Sequence, residues 1–306
     1  MGHALAAPVE QPQLWLLGTL SFCLRGGVVV LLAPIVVLPT QVEVRLMLGS
    51  NLGSSGLTPS FWASVGVATV ISTGFVLAVL YALARIEIGA FERLATDPDL
   101  AADTGLVHDA LAPGATADKG ARMRDLFVVE ALTVIALLLA AVPLAAAIGQ
   151  VTLDEILLPS SAASIFDRVL GQLTVPLAIV AVALPIVDAL SASVVRGLLV
   201  GRSVGSSFAG SLGAIVRRPL AWLATGALAW LSLIVVVVGV EWALSIAWQA
   251  TRASFLATTS VSDMLSEFAP MLVAALLTGV FVCGLALCGY VAAFRNALWS
   301  VTGLRH

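Results

Sequence analysis

The chain has 306 residues, 60% hydrophobic and 11% charged, with a formal net charge of −3 and a mean hydropathy of +1.06. Soluble domains carry about 25% charged and ~45–50% apolar residues, so a water-soluble enzyme is excluded. A disordered or nucleic-acid-binding chain is excluded too, since 15 basic residues face 18 acidic ones and form no basic block. The composition is that of an integral membrane protein.

The N-terminal stretch MGHALAAPVEQPQ has no Lys or Arg, so it lacks the basic start of a cleavable signal peptide, and the first apolar run is expected to stay in the protein. Crossing ~30 Å of hydrocarbon at 1.5 Å per residue takes about twenty apolar residues. Six such runs occur, at 14–38, 61–84, 126–148, 173–195, 220–243 and 270–294. The fold class expected is all-α, a polytopic transmembrane helix bundle of six spans in three hairpins, with an added cytoplasmic amphipathic helix. Cys23, Cys283 and Cys288 all fall inside apolar runs, where they act as small hydrophobes rather than a disulfide or metal framework.

Loop cations set the expected orientation. Arg85, Arg93, Lys119, Arg122, Arg124, Arg196, Arg202, Arg217, Arg218, Arg295 and Arg305 follow the even-numbered spans, whereas the opposite loops hold only Arg45, Arg168 and Arg252. By the positive-inside rule both termini belong in the cytoplasm, and the protein in the inner membrane. Trp222 and Trp242 bracket the fifth span, and Trp62 and Tyr81 the second, as interfacial aromatics do. Trp230 sits mid-span, where its indole N–H needs a partner.

The second helix of each hairpin ends in small residues and an arginine: YALAR at Arg85, ASVVR at Arg196, AAFR at Arg295. That pattern reads either as a threefold repeat or as the common preference of helix C-termini for cations. With the segment LWLLGTLSFCLRGG, these arginine-terminated hairpins resemble the uncharacterised six-helix membrane proteins of high-GC bacteria. The resemblance covers most of the chain and implies no activity and no site residues.

Two segments lie outside the spans. Residues 96–124, rich in Asp, Ala, Gly and Pro, have too few large apolar side chains to bury and read as a flexible cytoplasmic loop. Its Asp97-Pro98-Asp99 resembles a cation-holding DxD only in spelling, because a metal site needs several oxygens in fixed geometry. In residues 196–218, Gly197, Gly201, Gly205, Ala209 and Gly213 recur every four residues beside an apolar stripe. A helix with this ridge could dock closely on a partner, whereas a glycine-rich loop would share the spacing by accident. GRSVGSS lacks the Gly-Lys-Ser/Thr ending of a phosphate-binding loop.

Ionisable groups inside spans cost about 2.5–3.5 kcal/mol at a helix centre and mark functional hypotheses. Arg25, Glu130 and Asp188 all fall in the inner half, and Arg25 is expected to pair with Asp188, with Glu130 next in line. The alternative lays 13–24 flat at the interface, with Arg25 snorkelling at the point of entry. Glu241 lies at the outer interface. Pro34, Pro143, Pro176 and Pro185 interrupt the spans, and Pro185 with Asp188 and Ser191 forms the best candidate cluster for a binding site.

His3, His108 and His306 all lie outside the spans, so intramembrane zinc or Ser-His hydrolysis has no residues to work with, and no cofactor is called for. The expectation is a non-enzymatic, transport-associated permease-like subunit, with the lipid bilayer as its environment and a protein partner at the cytoplasmic face. The alternative is a non-transporting scaffold that recruits a partner through the same helix.

Overall fold

A computed structural model describes residues 9–35, 52–53, 56–95, 119–157, 165–257 and 264–303. Almost all of them are helical. In chain order the elements are α1 (Pro12–Phe22), a π-helical turn (Cys23–Gly27), α2 (Val28–Leu32), the two-residue strands β1 (Leu52–Gly53) and β2 (Gly56–Leu57), then α3 (Pro59–Ala95), α4 (Lys119–Leu157), α5 (Ile165–Leu199), α6 (Val204–Arg217), α7 (Pro219–Ala257) and α8 (Met264–Gly303). The strands pair antiparallel, Leu52 opposite Leu57.

Six helical segments are long and apolar enough to cross a membrane: Pro12–Leu32, Pro59–Leu94, Gly120–Val151, Gly171–Leu199, Pro219–Phe255 and Met271–Ser300. Their apolar surfaces imply a lipid environment. The helices run well past the expected span ends. At 37 residues α3 is about 55 Å long, nearly twice the hydrocarbon thickness. Arg85, where the second run stops, does not end the helix, because a charge neither removes a backbone donor nor blocks helical φ/ψ. Residues 119–124 of the expected loop form the first turns of α4; residues 96–118, with Asp97, Asp99 and His108, lie outside the described residues. Pro143, Pro176 and Pro185 sit inside continuous helices, whereas Pro34 falls in a turn just after α2 ends at Leu32.

The chain forms two compact units, one of Met1–Val36, Leu83–Asp125 and Ala192–His306, the other of Val37–Ala82 and Leu126–Ser191. In the first, α8 packs on both α7 and α1. Leu14, Ala90, Leu94, Ala229, Phe294, Ala297 and Leu298 form one core cluster. Phe22, Leu31, Val240, Leu244, Cys288 and Ala292 form another. Numbers rising along α7 thus meet numbers falling along α8.

Small residues set how closely these helices approach. A Cβ on Gly18 of α1 would collide with the Gly289 carbonyl of α8, and one on Gly289 would collide with Thr19. Lipid gives no hydrophobic drive for helix association, so close backbone packing of this kind has to supply it. Beside the crossing, Trp15 Nε1 donates to the Ala286 carbonyl at 2.6 Å, and its ring meets Tyr290 edge-on at 6.0 Å.

In the second unit, residues 62–78 of α3 are exposed on every side. Ser64, Thr69 and Thr73 each donate to the carbonyl four residues back, at 2.9, 2.8 and 2.8 Å, so their hydroxyls are satisfied within the helix. Trp230 of α7 does not find the partner expected of it: its buried Nε1 makes no hydrogen bond.

Candidate functional site

Among the described residues of the first unit, the most buried charges are Glu87 and Arg196, each 3% exposed, and Glu87 lies just beyond the second apolar run. It lies on the inward stripe of α3, Leu83, Ala84, Glu87, Ala90, Phe91 and Leu94, all 9% exposed or less. Positions three and four apart share a helix face, so Glu87 enters the core because the helix carries it there. Its two oxygens take different arginines. Oε2 accepts from Arg196 Nη1 of α5 at 2.9 Å, with side-chain exposures of 4% and 3%, and Oε1 accepts from Arg25 Nη2 of the π-helical turn at 3.4 Å. Arg196 Nη2 also donates to the Asn296 carbonyl of α8 at 3.3 Å, which in turn accepts from Ser300 Oγ at 2.8 Å.

Three elements therefore meet at one carboxylate, and Arg196 links it onward to α8. Removing it would leave Arg196 buried without its counter-ion, and breaking such a pair costs about 3–5 kcal/mol. Arg25 reaches it from a turn that the sequence cannot extend as α-helix: Gly26 has φ 89, a conformation that costs side-chain-bearing residues about 1–2 kcal/mol. Within its own unit Arg25 has Glu87 as a partner.

The three arginines that end YALAR, ASVVR and AAFR are not equivalent in the fold. Arg85 is exposed, Arg196 buried and Arg295 half-buried. The middle one ties the core through Glu87 and the Asn296 carbonyl.

In the second unit, Glu130 and Thr133 on α4 and Asp188 and Ser191 on α5 make two i,i+3 pairs, each on one helix face. Glu130, Asp188 and Ser191 are 3%, 8% and 6% exposed. Thr133 Oγ1 donates to Ser191 Oγ at 2.9 Å, which brings the two faces together. Pro185 lies one turn before Asp188 and, lacking an N–H, leaves the Ala181 carbonyl without its intrahelical donor.

The glycine row falls on two helices rather than one. Gly197 lies near the end of α5, Gly201 takes φ 92 in the turn after it, and Gly205, Ala209 and Gly213 lie on α6. Gly197 is the close-approach position, since a Cβ there would come within 2.7 Å of Ser207 Oγ. A Cβ on Gly205 or Gly213 would meet nothing. The buried face of α6 carries Ser207 and Ser211, and the helix is N-capped by Ser203, whose side chain accepts from Ser206 N.

Among the described residues, no three His, Cys, Asp or Glu side chains come together as a metal ion would require. No family model matches the chain, and no curated protein or solved structure matches it significantly.

Proposed function

We propose that this multi-pass membrane protein is the transport-associated, permease-like subunit of an inner-membrane system, its spans arranged as three hairpins with both termini in the cytoplasm. The observation that carries the reading is the polar contact between α4 and α5, where Thr133 donates to Ser191 at 2.9 Å and the buried acids Glu130 and Asp188 each lie one turn away on the same helix faces. Ionisable groups kept inside apolar helices are costly and mark a functional site by default. Pro185 supports the same reading, because a carbonyl freed beside an acidic side chain is how transporter helices build polar sites. The eleven-to-three split of loop cations supports the orientation.

Side-specific thiol labelling tests this directly. With Cys23, Cys283 and Cys288 replaced by Ser, Ser191→Cys in sealed vesicles should react with a membrane-impermeant thiol reagent, because a transport path admits water to this contact. Complete protection from both sides of the membrane would sink the transport reading and leave a closed scaffold that recruits a partner.

A further inference from the structure

A cavity of about 360 Å³ lies within the first unit, between the end of α5, α6, the start of α7 and the end of α8. Arg202, Arg217 and Arg218 line it, and among the described residues no acidic side chain does. Ser207, Trp222 and Trp299 also line it. Their Oγ and Nε1 atoms are buried with no hydrogen-bond partner among the described residues, and Ser207 and Trp299 are each 2% exposed. The two indoles stand 6.2 Å apart at 60° and form one side of the chamber.

The chemistry of this wall selects its ligand. Guanidinium groups only donate, so the occupant must be rich in acceptors, and three cations with no acid among the described lining residues select an anion. A phosphate group meets both demands, with several oxygens for the arginines and enough left over for the indoles and Ser207. The surface beside the cavity identifies the source of that phosphate. Leu212 and Val216, one turn apart on α6, and Leu220 just beyond it are 53%, 80% and 81% exposed, next to Arg217 and Arg218. An apolar stripe flanked by arginines is how a helix lies in a headgroup layer.

We propose that this cavity holds the phosphate group of a membrane phospholipid, whose acyl chains lie along Leu212, Val216 and Leu220. The site goes beyond the transport reading and does not depend on it. Bound there, a lipid would join α6 to α7 and α8 through its headgroup and fix α6 at the membrane surface.

The test uses the full chain in a neutral maltoside detergent, titrated with dihexanoylphosphatidylglycerol and followed by tryptophan fluorescence, with native mass spectrometry to count bound lipid. Saturable binding of one lipid per chain is expected. Arg217→Ala with Arg218→Ala should weaken it about tenfold or more, the loss expected of charge-assisted hydrogen bonds, and leave lipid-free thermal stability unchanged because both side chains are exposed. Trp299→Phe keeps an aromatic side chain but is smaller than indole and lacks the N–H, and should also weaken binding. Unaltered affinity in both variants would overturn the proposal, as would the lack of saturable binding. Equal affinity for inorganic phosphate would overturn the lipid assignment and leave a soluble anion as the occupant.

Discussion

The two halves of α3 have opposite fates. From Pro59 to Val79 the helix is almost wholly apolar and stands exposed, with Trp62, Val70 and Phe75 at 60%, 73% and 68%. From Leu80 to Ala95 it carries Arg85, Glu87, Glu92 and Arg93, yet this is the half with a buried stripe. In water the order would be reversed. Inside lipid an apolar face gains nothing by leaving its surroundings, and what draws a helix into the protein is close packing and the satisfaction of polar groups. Glu87 is thus a reason for burial and not an exception to it.

Three substitutions bear on this contrast. Glu87→Leu, in the buried half, should cost about 3–5 kcal/mol, because it strands Arg196. Thermal unfolding in detergent measures the loss, and pairing the change with Arg196→Met should restore most of it. A stability equal to wild type would show that the ion pair holds nothing together. Gly18→Leu should cost about 1–3 kcal/mol by forcing α1 off α8 at Gly289, read out as faster proteolysis of the N-terminal helix. Phe75→Leu, in the exposed half, should change stability by less than about 0.5 kcal/mol. A larger effect at Phe75 would mean that this half is covered in the assembled protein, and the contrast would then be one between two kinds of protein contact.

The six apolar segments were legible in the sequence because bilayer thickness and helical rise together fix a length that can be counted. Their ends were not. A helix stops where backbone donors or torsions fail, as at Pro34 and Gly201, and reading Arg85 as a boundary hid Glu87 even though Leu83, Ala84, Ala90 and Leu94 mark the stripe on which it lies. Glu130 and Asp188 could be found from their chain positions alone, since an acid within an apolar run is visible by composition. Thr133 could not, because a hydroxyl that bonds its own helix is indistinguishable in sequence from one that also bonds another. The four-residue glycine spacing failed as a guide for a related reason. Periodicity assumes one continuous helix, and the positive φ of Gly201 divides the row, so that Ser207 and Ser211 face inward while Gly205 stays open.

The ion pair between Glu87 and Arg196 joins residues 109 apart in the chain, whereas Arg25 precedes Glu87 by 62. A ribosome adding ~5–20 residues per second makes Arg196 about 5–20 s after Glu87. Through that interval the carboxylate's only cation in this triad is Arg25, already synthesised and held in the turn that Gly26 permits. The weaker, 3.4 Å contact is therefore available first. In order of synthesis Arg25 is thus the first of the two cations that Glu87 can meet, and Arg196 completes the triad.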